Sequence, residues 1–426
     1  VLAVSAVVAG CLAVAGVASA ASTVCSSGCK YTSIQAAVNA AAPGSVVTIG
    51  AGSYFENVTV NKPLKLKGAG TARTIIYPSV SKPICSPGSL CGGEASNIVL
   101  VEASNVTIEG VWLKGDNPNL TSGVVVGGED IDARNGIITN HLAGTYNNLT
   151  VSRTKVTGVY LRGIYASSGG TFNFKYNIVE NVQGEEASIA MFAFEGAGVM
   201  SHNKVLNAND AISANWSKGI QFEGNTIAKS GSGVHTDNNG GSGGSADLIK
   251  GNVVKECNAN GYGVFVFVPY VSATVEGNKI SGCSIALAAY GGAVAGQGPS
   301  FIKNTASGKG VAGTTYGAYL TTDQLGFAFG ELTAKLEGNS LSHFGTGMLV
   351  TQTAPTAGQP AGGQATVTAT PNNSFEANGV GADGEAGTKV NARNDWWGCA
   401  SGPNKGGKCQ VVSGTVEYAP WLTAHP

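Results

Sequence analysis

Phe222-Glu223-Gly224-Asn225-Thr226-Ile227, Lys250-Gly251-Asn252-Val253 and Glu276-Gly277-Asn278-Lys279-Ile280 are one phrase written three times. It recurs with variation before the Asn as Phe174-Lys175-Tyr176-Asn177-Ile178, Ser201-His202-Asn203-Lys204-Val205, Ile302-Lys303-Asn304-Thr305 and Glu337-Gly338-Asn339-Ser340. Successive Asn stand 26, 22, 27, 26, 26 and 35 residues apart. A period in the twenties marks one supersecondary unit stacked on copies of itself. Each copy holds short runs that alternate with period two, such as Gly233-Val234-His235-Thr236-Asp237, Gly263-Val264-Phe265-Val266-Phe267 and Gly317-Ala318-Tyr319-Leu320-Thr321. No copy has room for an amphipathic helix of about ten residues, which disfavours leucine-rich and ankyrin solenoids; propeller blades need roughly 40 residues each. The unit that fits is a coil of about three short strands, with coils about 4.8 Å apart. The repeated Asn is expected to take a left-handed turn conformation and to hydrogen-bond its stacked counterpart. Cys257 and Cys283 each follow their Asn by five residues, so stacking places one over the other.

Composition agrees. The chain has 426 residues with 63 Gly, and charged residues are only 12%, too few for a helical bundle or coiled coil. Hydrophobic residues at 43% exclude wholesale disorder. Twenty-five basic and 26 acidic side chains leave a net charge of -1, so no electrostatic footprint for nucleic acid is expected. Residues 1–20 are apolar, free of charge and end in Ala18-Ser19-Ala20, which reads as a cleaved signal peptide. A membrane anchor and a lipoprotein signal ending at Cys11 are the competing readings. Secretion to the extracellular space or periplasm follows, with no stable membrane insertion after cleavage. Eight Cys lie beyond the leader. Disulfides are expected, with Cys25–Cys29, Cys85–Cys91 and Cys399–Cys409 as short staples beside Cys257–Cys283. No paired C-x-x-C or clustered His supports a metal site.

The ends read as caps, which such stacks need. Residues 33–41 form one short amphipathic helix with Ser33 as its cap. Asn394-Asp395-Trp396-Trp397-Gly398-Cys399 and Trp421 gather three of the five Trp where they would cover the last coil. The expected organisation is a single all-β domain over residues 21–426: N-terminal cap about 30–70, coils about 70–390, C-terminal cap about 391–426.

These residues resemble a known family. Ile34-Gln35-Ala36-Ala37-Val38, Gly52-Ser53-Tyr54-Phe55-Glu56-Asn57-Val58, the Gly-Asn turns and Trp396-Trp397-Gly398-Cys399-Ala400-Ser401-Gly402-Pro403 are similar to the pectin lyase-like superfamily, within its β-helix-repeat (NosD-like) group. The resemblance implies one right-handed parallel β-helix solenoid with an N-terminal helical cap and a Trp-rich C-terminal cap. It names no reaction, because the fold hosts lyases, hydrolases, esterases, epimerases and non-catalytic proteins. The methylesterase motifs Gln-Asp-Thr and Gly-Arg-Pro-Trp are absent, as are the polygalacturonase motifs Asn-Thr-Asp, Gly-His-Gly and Arg-Ile-Lys. No family's catalytic residues carry over.

Stacking the repeats points to a site by another route. Coils aligned on Gly163-Ile164, Ala211-Ile212, Gly233-Val234, Gly263-Val264 and Gly317-Ala318 give one outward column of Tyr165, Ala190, Ser213, His235, Phe265, Ala286 and Tyr319. The next column is Ser167, Phe192, Asn215, Asp237, Phe267, Ala288 and Thr321. Exposed aromatic rings beside polar groups suit sugars, whose faces are apolar and whose rims are hydroxyls. His235 and Asp237 leave one face of one strand, an arrangement for general acid/base work. Asn215 is expected one coil below Asp237, and the loop from Asn238 to Ser245 is expected beside the face. Arg162, Asp210 and Glu185-Glu186 would form a polar rim, with Arg162 steering an acidic sugar and Asp210 or Glu186 as acid or base; a plain surface salt bridge is the bland alternative. Glu195 and Trp216 sit at strand exits, while His202 and His343 lie near turns as structural residues. Pro355 to Gln364 reads as a loop without chemistry.

The expected function is that of a secreted, monomeric carbohydrate-active protein that binds a polysaccharide along this face. His235, Asp237, Asp210 and Arg162 are the catalytic candidates for lyase or hydrolase cleavage. Tyr165, Phe192, Phe265, Phe267, Tyr319, Asn215 and Asn238 are the binding candidates. No cofactor is expected, with a divalent cation such as calcium left open. The alternative is a non-catalytic surface or matrix protein with a glycan-binding or adhesive face. Periplasmic maturation of a metal centre lacks the His- or Met-rich patch it would need.

Overall fold

The computed structural model describes residues 22–86, 88–167, 169–237, 244–267, 271–292, 296–323, 330–353 and 363–426. The leader, Cys11, Asn238 and most of the 355–364 stretch lie outside the described residues. Among those described, strands follow one another in a fixed rotation through three sheets of 15, 11 and 13 strands, and each strand pairs with its equivalent one coil away. Nearly all pairs are parallel; the exception is a small hairpin, Val125–Val126 with Glu129–Asp130.

The alternation anticipated from sequence sets which residues point inward. In the 15-stranded sheet Phe174, Met200, Phe222, Ile249, Val275 and Phe301 stack through successive coils, each fully buried in one continuous core. The helix α1 (Ile34–Ala40) starts at Ser33, whose hydroxyl accepts from the Ala36 amide, and it buries Ile34, Ala37 and Val38 against the first coils. At the other end Trp397 is fully buried and stacks on Phe375 at 5.0 Å. Disulfides join Cys25–Cys29, Cys85–Cys91, Cys257–Cys283 and Cys399–Cys409. Cys257 and Cys283 lie on adjacent coils with Cα atoms 4.7 Å apart, as their equal offsets from Asn252 and Asn278 require.

The Asn ladder is present, with one correction. Asn177, Asn203, Asn225, Asn252, Asn278, Asn304 and Asn339 are buried, and each donates its backbone amide and Nδ2 to the side-chain oxygen of the next rung. The ladder continues through Asn373 and ends on Asp395. The left-handed residue is not the Asn but the one before it: Gly224, Gly251 and Gly277 have φ of 61°, 65° and 64°. That bend swings the Asn side chain into the solenoid, where its amide must find partners and finds them on neighbouring rungs.

The 13-stranded sheet carries the residues of interest. Its strands include β1 (Arg162–Ala166), β2 (Ile189–Phe194), β3 (Asp210–Asn215), β4 (Ser232–Asp237), β5 (Tyr262–Phe267), β6 (Ile285–Tyr290) and β7 (Tyr316–Thr321). The second residue of each is Gly or Ala because the neighbouring coil passes too close for anything larger. A Cβ on Gly263 would sit 2.5 Å from the Ala286 carbonyl oxygen and 2.6 Å from Ile280 Cγ2. Strict alternation breaks at this small residue. Tyr262 contacts Phe265 at 5.1 Å and Tyr316 contacts Tyr319 at 5.2 Å, so the opening residue and the one three further on share the outer face.

This register corrects the expected columns in two coils. Ala190–Met191 and Ala286–Leu287 align with Gly163–Ile164, two residues away from the sequence alignment. The first outer column is therefore Tyr165, Phe192, Ser213, His235, Phe265, Ala288 and Tyr319. The second brings Asn215, Asp237 and Phe267 together and takes in Phe194 and Tyr290, each paired in the same register. Ala190 and Ala286 fill the small second position and are fully buried.

Candidate functional site

The outer face of β1 to β7 holds a half-buried polar cluster between two groups of aromatic rings. At its centre, Asp210 opens β3 and His235 is the fourth residue of β4, one coil away. His235 Nδ1 lies 3.2 Å from Ser213 Oγ and 3.5 Å from Asp210 Oδ2. Ser232, which opens β4 in register with Asp210, donates its hydroxyl to Asp210 Oδ1. Burial alone would raise the Asp210 carboxyl. The hydrogen bond and charge of His235 and the hydroxyls of Ser232 and Ser213 together outweigh it, and Asp210 is held below the ordinary carboxylate range. The His235 ring stacks on Phe265 at 4.6 Å. Its Nε2 is buried and meets no hydrogen-bond partner among the described residues.

On the N-terminal side, Tyr165 and Phe192 stack at 4.6 Å beneath the Arg162 guanidinium, which lies 4.9 Å from the Phe192 ring and 5.7 Å from Tyr165. Arg162 donates to the Ala187 carbonyl, its Nε has no partner among the described residues, and burial lowers its pKa to about 10. Burial likewise pushes the Tyr165 hydroxyl up to about 12, against the pull of Arg162. Leu90 packs with Ile138, Tyr165, Ile189 and Phe192. The segment carrying it is tied down by Arg134, which donates to the carbonyls of Pro83, Gly88 and Ser89. On the C-terminal side, Phe265 contacts Tyr262 and Tyr290, whose hydroxyls lie 3.1 Å apart, and Tyr290 meets Tyr319 at 6.0 Å. Beside the second column, Phe194 stacks on Trp216 at 5.4 Å.

The described catalytic and binding candidates thus fall on one wall, but that wall differs from expectation in three respects. The carboxylate meeting the His235 ring is Asp210, from the coil below, because the strand break brings the opening residue onto the outer face. Asp237 leaves the same face in register with Asn215 and Phe267. The aromatic rings are not an open platform either. Tyr165, Phe192, Phe265 and Phe267 are each 8% exposed or less, because Tyr165 and Phe192 stack across adjacent coils and Phe265 and Phe267 pack against Tyr290 of the next coil. Arg162 forms no ion pair among the described residues and lies over rings instead of meeting Asp210. Ser232, Tyr262, Tyr290 and Phe194, the partner of Trp216, escaped the sequence reading; the position of Ser232, equivalent to Asp210, was the signal available. Among the described residues no group of three or more His, Cys, Asp and Glu is placed to hold a metal ion, and no helix is long and apolar enough to cross a membrane.

Comparison with known proteins bears on the fold. Residues 135–307 match the family model described as a right handed beta helix region. The chain is a right-handed parallel β-helix. The A-module of a mannuronan C-5 epimerase from Azotobacter vinelandii is similar at 17% identity and a TM-score of 0.55, over 91% of this chain and 94% of that one. The catalytic unit of a thermostable GH87 α-1,3-glucanase from Streptomyces thermodiastaticus is similar at 16% identity and a TM-score of 0.55. That match covers 91% of this β-helix and 65% of the glucanase chain, so the present chain spans just under two thirds of it. Among curated proteins no sequence matches.

Proposed function

We propose that this β-helix is a secreted polysaccharide-acting protein whose glycan lies along the outer face of β1 to β7. The observation that carries the reading is the Asp210–His235 pair. A carboxylate kept ionised orients an imidazole through Nδ1 and leaves Nε2 without a partner among the described residues, the arrangement of a proton-transfer group awaiting its substrate. Aromatic rings on both sides, Arg162 at one flank and the tyrosine hydroxyls at the other supply stacking and hydroxyl recognition. Both structural neighbours act on polysaccharides by name, and four disulfides fit an oxidising compartment.

Elimination of a uronide fits this face better than hydrolysis. Asp237 pairs in register with Asn215, five residues along β3 from Asp210. Their backbones are separated by roughly 16 Å along the strand direction, whereas hydrolase carboxylates stand about 5–9.5 Å apart. A single acid/base centre serves proton abstraction without a second carboxylate.

A panel of polysaccharides assayed for unsaturated-product absorbance and for reducing ends tests the proposal. His235→Ala and Asp210→Asn are expected to lower product formation by about 100-fold or more while the fold is retained. Wild-type rates in both variants would overturn the acid/base assignment. The closed packing of the rings and the burial of Nε2 favour a second reading, a non-catalytic glycan-binding wall. Binding that depends on His235 without any product from any polymer would establish that one instead.

A further inference from the structure

On the far side of the solenoid, the turn between the 15-stranded and 11-stranded sheets carries a feature that the fold does not require. The residue before each ladder position is left-handed, and the coils at Gly224, Gly251, Gly277 and Gly338 use glycine there, with Lys303 at φ 52° between the last two. Three consecutive coils below them use Arg153, Tyr176 and His202 instead, at φ of 48°, 58° and 54°. A bulky side chain in this conformation is strained, and such outliers point to a use for the side chain. The side chains contribute nothing to the core. Arg153, Tyr176 and His202 are all exposed, Tyr176 by 50%.

They form a ladder of their own. The Arg153 guanidinium lies 5.7 Å from the Tyr176 ring centre, and Tyr176 stacks on His202 at 5.2 Å with the planes 28° apart. Among the described residues Arg153 has no carboxylate partner. Below it opens a depression of about 350 Å³ lined by Gly68, Ala69, Gly70, Thr71, Glu109, Gly110 and Arg153. Glu109 is held there by Lys65 at 2.9 Å. Above His202 the ground is bare, for Gly224, Gly251 and Gly277 carry no side chain. The result is a flat aromatic step, a cation beside it and a polar hollow at its foot.

We propose that this corner is a second glycan-binding site, distinct from the face around His235. One pyranose face rests on Tyr176 and His202, Arg153 takes a ring carboxylate or hydroxyl, and the neighbouring sugar enters the hollow towards Glu109. The site holds polymer on the side of the solenoid away from the proton-transfer centre. The inference rests on the polysaccharide reading above.

Tyr176→Asn combined with His202→Gly tests it, because both replacements suit the left-handed turn and the variant should melt at or above the wild-type temperature. Retention on the insoluble polysaccharide that the wild type binds is expected to fall by about tenfold, while binding or turnover of short soluble oligosaccharides stays at the wild-type level. Unchanged retention of polymer overturns the second site and leaves the His235 face standing. Loss of oligosaccharide turnover also overturns it, since the stack would then serve the fold or the other face. A wild type that retains none of the polymers and forms no product defeats the functional reading itself, and the second site with it.

Discussion

Three carboxyls show how neighbours decide what an aspartate does. Asp247 is raised above its ordinary range, chiefly by burial, although the Ile220 amide and the hydroxyls of Ser217 and Thr236 all donate to it; it ties a corner together. Asp210 is as enclosed by partners, but one of them is His235, and its carboxyl is lowered. Asp395 ends the Asn ladder, fully buried, with both donors from Asn373 on Oδ1 and, among the described residues, none on Oδ2. Burial, only partly offset by those bonds, pushes it up to about 8. In the folded protein Asp395 therefore keeps a proton that the unfolded chain releases near pH 4. Its contribution to stability is complete below that pH and is lost as pH rises towards 8, on the order of a few kcal/mol over the interval. Thermal melts should show the wild type losing stability from pH 5 to pH 8 relative to Asp395→Asn, which has no carboxyl to titrate. Parallel pH profiles would mean that the ladder's last rung is ionised throughout. Asp210 was legible in the sequence as a rim residue, but its pairing with His235 was not. Period-two counting places opening residues such as Asp210 off the outer column, and only the close approach at Ala211 and Gly233 explains why they share it.

Among the elements, the Asn turn does more than end a strand. Asn252 accepts from the Asn225 amide and Nδ2, each at 2.9 Å, and its own Nδ2 donates to the Phe222 carbonyl. Asn252→Leu would strip the buried Asn225 amide of its acceptor, leave Asn225 Nδ2 with only the Met200 carbonyl and take a donor from the Phe222 carbonyl, at a cost of about 3 kcal/mol. The urea midpoint should fall accordingly. A shift of less than a third of that would show that water replaces the amide and that the rungs are independent. The phrase Gly-Asn made the ladder readable, but not its geometry. Glycine served as the left-handed residue, freeing Asn to turn inward. The rungs at Asn373 and Asp395 were missed because Asn372-Asn373 offers two Asn for one position and the last rung is an Asp. The two-residue slip at β2 and β6 has a similar origin. Ser188-Ile189-Ala190 and Ser284-Ile285-Ala286 each offer an apolar residue before the small one, and the small residue proved to set the register.

At the scale of the whole molecule, coil stacking was the most legible property, because equal offsets such as those of Cys257 and Cys283 allow only one arrangement. The condition of the outer wall was not legible. Whether an outward ring is open or covered depends on rings from neighbouring coils and on segments such as the one bearing Leu90, which arrives from about 50–100 residues away in sequence. The wall nevertheless gathers Asp210, Ser213, Ser232 and His235 on two adjacent strands, and the function proposed here depends on that gathering. The most direct test is a crystal structure of the Asp210→Asn protein with an oligosaccharide from the polymer it retains best. The account predicts a chain of sugar rings along β1 to β7, with one sugar atom within about 3.2 Å of His235 Nε2. Sugar bound elsewhere, with the His235 face bare and Nε2 still covered, would contradict it.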